Sequence, residues 1–314
     1  MAHDQYNITV LAPTPRVTVT VEKGASGDEI HIHPGGQAFW VARMLKHLGE
    51  RPLLCIPVGG EAGQVFRGIL SQWGMDVSLV KINSDTVVTI NDRRSGKRVV
   101  IADSPHPTLA RHELDDIYGK FLDRSLTAGI SVVTGQTEEV LPVEMFKRLG
   151  NDLEAGGVRV VADLHGPELW KFLEGGSIEV LKVSDEDLEA DGLLSSSDAG
   201  LDECVRAFDK LTTAGAANVV LSRQGNPALA LIGGQLYQAK TPELEPADST
   251  GAGDSMTAGL AAAVHRELGA EEMLRLACAA GAANVTRHGL GSADEDLVPN
   301  LAERVTVEKL DRQR

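Results

Sequence analysis

The sequence predicts an α/β protein with a doubly wound, mostly parallel sheet flanked by helices, and with a small additional β-sheet. Beyond residue 110, short apolar runs alternate with helical stretches, which is the pattern of βαβ units. Two other segments, near residues 14–33 and 84–103, alternate apolar and polar residues and therefore suit a sheet with one covered face. We expect these two segments to form a small accessory sheet over a cleft.

The first hundred residues predict both kinds of strand. Apolar runs at 8–11 and 53–58 predict buried strands, whereas residues 17–21 alternate strictly as Val-Thr-Val-Thr-Val. Apolar residues recur at helical spacing over residues 38–48, which predicts a helix. The remaining predictions here are a helix over 63–73 and a hairpin with strands 86–90 and 98–102, joined by a turn that contains Ser95-Gly96.

The second half of the chain repeats the alternation of strand and helix. Apolar runs that predict strands lie at 130–133, 158–163, 178–183 and 218–222. Two helices rich in alanine and glycine are then predicted over 250–266 and 270–287. Their small side chains suit close packing of one helix against the other.

The composition excludes several classes of function. The chain has 314 residues, of which 42% are hydrophobic, and its formal net charge of −15 disfavours general nucleic-acid binding. Cys55, Cys204 and Cys278 form no C-x-x-C pair, so we expect buried apolar thiols and neither a disulfide frame nor a zinc site. The polar N-terminal segment has no apolar run of the signal-peptide type, and no stretch approaches the roughly 20 apolar residues that span a bilayer. The expected location is the cytoplasm, without membrane or nucleic-acid partners.

The segment with the strongest chemical signal is Asp-Ser-Thr-Gly-Ala-Gly-Asp, residues 248–254. Its glycines allow a sharp turn and a close approach to a ligand, and the following helix directs free N–H groups towards its own start. An acid at that point, Asp254, can take a proton from an attacking hydroxyl group. The structural alternative is that Asp254 only complements the helix start and that the glycines serve packing.

Four segments in order resemble one enzyme family. Residues 248–260 (DSTGAGDSMTAGL) and 33–49 (HPGGQAFWVARMLKHLG) resemble the two signatures of the ribokinase-like (PfkB) carbohydrate kinases. Residues 180–188 (VLKVSDEDL) and 279–291 (AAGAANVTRHGLG) resemble two nucleotide-side elements of the same family. The Ser-Met continuation after Asp254 is most similar to the branch that contains 1-phosphofructokinase and tagatose-6-phosphate kinase.

The resemblance implies a fold, cofactors and a catalytic group. It implies a single ribokinase-like domain over residues 1–314, with lid strands from about 12–34 and 84–104 and a possible homodimer through the lid. It also implies ATP and Mg²⁺ as cofactors and Asp254 as the general base. The backbone N–H groups of Gly251, Ala252 and Gly253 would form an anion hole.

On the nucleotide side, the resemblance assigns seven residues and one metal contact. Ser184 and Asp187 stand where the family has Asn and Glu, and Asp187 would hold Mg²⁺ through a water molecule. The glycines after the next strand, in Ser222–Pro227, are displaced from the family pattern. The implied nucleotide-binding residues are Lys182, Ser184, Ser222, Gly225, Asn284, Gly289 and Gly291.

On the substrate side, the chain departs from the family. Arg16 replaces an aspartate that grips sugar hydroxyls, and Gln37 and Trp40 replace Lys and Asn. The lid Thr-Arg motif becomes roughly Asp85-Thr86, and the Ser-Gly-Ser phosphate element becomes residues 134–136, Thr-Gly-Gln. The implied substrate-binding residues are Arg16, Gly35, Gly36, Gln37 and Trp40. The alternative is that Arg16 pairs with a nearby acid such as Asp85 and that Trp40 belongs to the core.

These observations favour an ATP-dependent kinase that transfers the γ-phosphoryl group to a hydroxyl of a sugar or sugar phosphate. A kinase of a nucleoside or other polyol is a second reading, because the substrate-side residues are altered. A non-catalytic ligand-binding protein on the same scaffold is a third, which the intact Asp254 and its glycines disfavour. A dinucleotide-dependent dehydrogenase is disfavoured because no G-x-G-x-x-G follows the first strand.

Overall fold

The computed structural model describes residues 6–135, 140–242, 244, 250–285, 291 and 296–311. Within them the strands, in chain order, are β1 (Ile8–Leu11), β2 (Arg16–Lys23), β3 (Asp28–Gly35), β4 (Pro52–Val58), β5 (Asp76–Lys81), β6 (Val87–Asp92), β7 (Val99–Asp103), β8 (Ile130–Thr134), β9 (Arg159–Asp163), β10 (Val180–Ser184), β11 (Val219–Ser222), β12 (Ala228–Ile232), β13 (Gln235–Lys240) and β14 (Thr306–Leu310). The helices are α1 (Gln37–His47), α2 (Gly60–Gln72), α3 (Arg111–Ala128), α4 (Val143–Ala155), α5 (Gly166–Gly175), α6 (Asp185–Ala190), α7 (Leu201–Ala214), α8 (Ala252–His265), α9 (Ala270–Val285) and α10 (Leu297–Ala302).

The larger of the two described sheets has ten strands in the order β14-β13-β12-β11-β10-β9-β8-β1-β4-β5. The strands from β11 to β5 are paired in parallel. β12, β13 and β14 extend the β11 edge in antiparallel pairs. The predicted fold class is confirmed, and the buried runs that predicted parallel strands are β1, β4 and β8 to β11. The sequence reading missed β5 and the antiparallel edge.

Helices cover both faces of this sheet, because successive strand residues point to opposite sides. Val10 of β1 belongs to the hydrophobic cluster beneath α1, α8 and α9, whereas its neighbour Leu11 belongs to the cluster beneath α3, α4, α5 and α7. The two predicted small-residue helices are α8 and α9, and a Cβ added at Gly259 would lie 2.6 Å from the Cα of Ala277. None of the described helices is long and apolar enough to cross a membrane.

The smaller described sheet, which we call the lid, has four strands in the order β3-β2-β6-β7. β2 pairs with β3 and β6 with β7 in antiparallel fashion, whereas β2 and β6 run parallel. One lid face carries polar, buried side chains: Thr18, Thr20, Thr89 and Asn91. Large apolar side chains remain exposed on the two edge strands: Ile30, Ile32, Val99, Val100 and Ile101.

Candidate active site

A cleft of about 490 Å³ lies between the lid and the carboxyl ends of the parallel strands. Four of those strands end in it, because Ala12, Thr134, Asp163 and Ser184 line it just after or at the ends of β1, β8, β9 and β10. This is the position where open α/β sheets bind their ligands. The lid contributes Arg16, Thr18, His33 and Arg98 to the opposite wall.

Asp254 lines the cleft in the first turn of α8. Gly251 precedes the helix in a left-handed conformation, with φ of 80°, which glycine adopts without steric cost. The Ser255 N–H is the first to bond back, to the Gly251 carbonyl, so the N–H groups before it have no acceptor within the helix. The turn therefore places the positive end of the helix dipole beside the Asp254 carboxyl group.

The surroundings of Asp254 suit a group that takes up a proton near neutral pH. Burial raises the pKa of Asp254 to about 7, and the negative charge of Asp163 acts in the same direction. The Lys182 ammonium and a side-chain hydrogen bond from Gln37 act in the opposite direction. A base with a pKa near the working pH combines a usable ionised fraction with a useful proton affinity.

Lys182 and Asp163 form a buried ion pair next to this turn. The Lys182 Nζ atom lies 3.3 Å from each oxygen of Asp163. Burial alone would lower the pKa of Lys182, but the negative charges of Asp163, Asp254 and Asp187 outweigh it and raise that pKa. A Cβ added at Gly253 would lie 2.9 Å from the same Nζ atom, so the ammonium sits against the backbone of the turn.

Ser184 and Asp187 form a capping box at the start of α6. The Ser184 hydroxyl accepts a hydrogen bond from the Asp187 N–H at 3.1 Å, and the Asp187 Oδ2 atom accepts one from the Ser184 N–H at 2.9 Å. The other Asp187 oxygen lies 3.8 Å from His165 Nε2. Both residues line the cleft, but each also stabilises a helix end.

Of the predicted nucleotide-binding residues, Lys182 and Ser184 line the cleft, whereas the other described ones do not. Asn284 lies behind the turn: its amide donates to the Thr250 carbonyl at 2.8 Å and its Oδ1 accepts from the Gly291 N–H at 2.6 Å. Ser222 and Gly225 do not line the cleft; the Ser222 hydroxyl donates to the Val183 carbonyl at 3.3 Å, and Gly225 occupies a turn with φ of 67°. Gly289 lies outside the described residues.

The five predicted substrate-side residues all line the cleft. Gly36 has φ of 105° immediately before α1, and a Cβ there would lie 3.0 Å from the Thr14 carbonyl oxygen. Arg16 donates from Nη1 to the Thr89 hydroxyl at 3.4 Å. Trp40 is only 6% exposed, so it is both a core residue and part of the cleft wall.

Two alternatives raised by the sequence can be compared with this geometry. The Asp85 carboxylate lies against Gly60, where an added Cβ would be 1.8 Å from Oδ1, and the Thr86 hydroxyl accepts from the Gly59 N–H at 3.1 Å. These two residues thus secure the loop before α2, and Thr89 is one of the partners of Arg16. Gln136 lies outside the described residues.

The sequence reading did not select several residues that line the cleft: Asp163, His33, Arg98 and His165. Asp163 had a detectable signal, because it is an acid that ends an apolar run in a βαβ pattern. Carboxyl ends of parallel strands meet at the ligand-binding edge, so a charged residue there is a candidate site residue. Arg98 had no comparable signal, since it lies in a segment of exposed residues, whereas His33 is the first residue of the signature over residues 33–49.

Known proteins resemble this chain over most of its length. A family model described as pfkB family carbohydrate kinase matches residues 2–297. The 1-phosphofructokinase of Bacillus subtilis (strain 168) is 28% identical over 283 residues, which cover 88% of this chain and 89% of that protein. The ATP-dependent 6-phosphofructokinase isozyme 2 of Escherichia coli (strain K12) is 26% identical over 268 residues, which cover 84% of this chain and 85% of that protein.

Solved structures show the same fold. The phosphofructokinase-2 of Escherichia coli in complex with fructose-6-phosphate superimposes with a TM-score of 0.84 at 23% identity, covering 96% of this chain and 99% of that one. Ribokinase of Arabidopsis thaliana complexed with ribose and ATP has a TM-score of 0.75 at 18% identity, covering 95% and 99%.

Proposed function

Because the chain belongs to the pfkB family of carbohydrate kinases, we propose that it transfers the γ-phosphoryl group of ATP to a hydroxyl of a sugar or sugar phosphate. The single observation that supports this most is the pairing of Asp254 with the glycine turn at the start of α8. A proton acceptor and a set of phosphate-binding donors stand side by side there, as phosphoryl transfer requires.

In the proposed reaction each residue of the turn has a distinct task. Asp254 accepts the proton of the attacking hydroxyl group. The backbone N–H groups of Gly251, Ala252 and Gly253 donate to the oxygens of the transferred group, and Lys182 places a positive charge beside them. Gln37 donates to Asp254 and orients the carboxyl group across the cleft.

The residues present fit ATP and Mg²⁺. Gly253 leaves a cradle that a Cβ would fill, and the N-terminal end of α8 suits phosphate oxygens. No cluster of three or more potential metal-ligating side chains occurs among the described residues, which is compatible with Mg²⁺ held mainly by nucleotide phosphates. We propose that Asp187 would hold that ion through a water molecule. When bound, ATP supplies the phosphoryl group and Mg²⁺ offsets its charge.

The acceptor is proposed to carry an anionic group of its own. The charged residues that line the lid end of the cleft are Arg16 and Arg98, whereas the acids that line it belong to the Asp254 end. Arginine pairs well with phosphate or carboxylate but cannot accept a hydrogen bond from a sugar hydroxyl. We therefore propose that the natural acceptor is neither fructose 1-phosphate nor tagatose 6-phosphate, whose hydroxyls need the acceptor that Arg16 replaces.

We also propose that the chain, residues 1–314, is one domain whose lid joins two copies into a homodimer. Five large apolar side chains on the lid edge strands are exposed, from 51% at Val99 to 66% at Ile30. Exposed apolar side chains on an edge strand mark an interaction surface, and a second copy presents the same side chains for a two-fold contact.

The proposed function can be tested by an ATP-consumption screen over sugars, sugar phosphates and nucleosides. We expect turnover with a phosphorylated or otherwise anionic sugar, and no turnover with the Asp254→Asn variant. Turnover confined to uncharged nucleosides would contradict the proposed acceptor class. A lack of ATP consumption with every compound by a protein that binds ATP would favour the non-catalytic reading.

A further inference from the structure

Asp163 is a buried carboxylate with both oxygens engaged. Its side chain accepts a hydrogen bond from the Thr257 hydroxyl at 2.7 Å, and both oxygens face the Lys182 ammonium at 3.3 Å. Asp163 and Lys182 are 5% and 6% exposed. A buried ion pair is a weak source of stability, because desolvation of the two charges offsets their attraction. Stability alone therefore does not account for a pair at this place.

The contacts of Asp163 join the two elements that carry the proposed catalytic groups. Lys182 lies on β10, whereas Thr257 lies on α8, where its hydroxyl oxygen also lies 3.1 Å from the Gly253 carbonyl oxygen. The Lys182 ammonium in turn lies against Gly253. One carboxylate thus fixes both the cation and the first turn of the helix.

We propose that Asp163 is a positioning residue that holds Lys182 against the Gly253 turn and, together with Lys182, sets the pH range in which Asp254 can accept a proton. This inference rests on the proposed function, since it takes Asp254 as the base. No step of the reaction needs Asp163 to touch the substrate.

The groups that act on Asp254 come from three neighbouring elements. Asp163 on β9 and Lys182 on β10 are the charged ones, and Gln37 on α1 contributes an uncharged amide. Asp187 on α6 acts on Lys182, and His165 lines the same cleft. Burial is the largest influence on the pKa of Asp254; beyond it, Asp163 raises that pKa and Lys182 lowers it.

The two charges therefore predict opposite effects. Loss of the negative charge in Asp163→Asn lowers the pKa of Asp254, and loss of the positive charge in Lys182→Met raises it. Because the ionised carboxylate is the active form, kcat falls as pH drops through this pKa. The acidic limb of the kcat profile should move to lower pH in Asp163→Asn and to higher pH in Lys182→Met.

The experiment measures kcat and KM against pH, with ATP and the acceptor found by the screen, for wild type and both variants. In the alkaline plateau we expect kcat to fall on the order of 10-fold to 10²-fold, as small misplacements of catalytic groups do, with little change in the KM of the acceptor. The control Lys147→Met removes one partner of an exposed ion pair with Glu174, and its profile should match wild type.

A double variant guards against misfolding, because each single change leaves one buried charge unpaired. Asp163→Asn combined with Lys182→Met leaves neither charge, so we expect it to fold, to lose kcat in the plateau, and to have an acidic limb closer to wild type than either single variant. Wild-type kcat in the double variant would overturn the inference. The inference would also be overturned if the acidic limbs of the kcat profiles of the two single variants stayed in place or moved in the same direction. If Asp254→Asn were inactive in that case, the proposed function would still stand.

Discussion

At the scale of single residues, the cleft combines groups whose charges oppose one another. The pKa of Asp254 is about 7, because burial and the charge of Asp163 raise it whereas Lys182 and Gln37 lower it. This balance is a property of a small set of side chains, so substitutions at these positions have signed, measurable effects. The same small set makes the proposed base open to direct test.

Asp254→Asn keeps the size of the side chain but removes its ability to take a proton. We predict that kcat falls by roughly 10²-fold to 10⁴-fold, the range that general-base catalysis supplies, while ATP binding measured by calorimetry is retained. In wild type, kcat should fall as pH drops through about 7, because protonation removes the active carboxylate. Asp202→Asn, in the first turn of α7, is the matched control and should leave kcat unchanged. Native turnover by the Asp254 variant would show that this residue is not the base.

Gly253→Val adds a side chain where the backbone meets the Lys182 ammonium. An added Cβ would lie 2.9 Å from Nζ, at the flexible end of the lysine, so the fold should persist while the cradle for phosphate is filled. We predict loss of ATP-dependent turnover with an unchanged circular dichroism spectrum. Gly119→Val, in α3 where an added Cβ meets nothing within 4 Å, serves as the control. Normal ATP kinetics in the Gly253 variant would mean that the turn is only structural.

The residue scale also shows where sequence reasoning stops. Asp254 and its glycines could be selected because several local requirements coincide in seven residues. Asp163 could not be ranked in this way, because its role depends on Lys182 and Thr257, which lie far from it in sequence and meet only in the folded chain. The resemblance implied a nucleotide role for Ser184 and Asp187 and gave no indication that they also form a capping box.

At the scale of elements, burial decides what the sequence predicts. The inner parallel strands were identified because strands covered on both faces become continuous apolar runs. The edge strand β5 is only partly buried and carries no such run. β12 and β13 are joined by Gly233 and Gly234, and a Gly-Gly pair between two strand patterns is a hairpin signal. β14 is mostly exposed and therefore lacks an apolar run.

The lid edge strands lead to a prediction about assembly. Ile32→Lys or Val100→Lys replaces an exposed apolar side chain of a lid edge strand with a charged one. Burying that charge in a contact between two copies is unfavourable. We predict that wild type has the mass of a dimer by light scattering after gel filtration and that either variant has the mass of a monomer. Leu126→Lys alters a residue that is also exposed but lies on α3, and it should remain dimeric. A monomeric mass for the wild-type protein would contradict the proposed dimer contact through the lid.

At the scale of the whole molecule, an acidic protein contains a cleft with one cationic end. The formal net charge is −15, yet two arginines, Arg16 and Arg98, line the lid wall. The overall charge therefore does not exclude an anionic substrate, because the local arrangement of charge decides what enters. The fold alone does not specify that substrate, since one scaffold supports several acceptors.

We predict that kcat/KM for fructose 1-phosphate and tagatose 6-phosphate stays below about 10⁴ M⁻¹s⁻¹, the lower bound of ordinary enzymatic efficiency. For the anionic acceptor found by the screen, Arg16→Ala should lower kcat/KM by roughly 10-fold to 100-fold, the value of a hydrogen bond to a charged group. Arg94→Ala, which breaks an exposed lid pair with Asp92, is the control and should have no effect. Efficient turnover of either sugar phosphate would contradict this prediction.

The covalent path from lid to cleft has a mechanical consequence. β3 ends at Gly35, Gly36 follows with φ of 105°, and α1 begins at Gln37, whose amide reaches Asp254. The lid and the proposed base are therefore connected through two glycines and one side chain. A substrate that moved the lid would therefore also move the start of α1, and with it the Gln37 amide. A displacement of the lid would therefore be expected to change the hydrogen bond between Gln37 and Asp254.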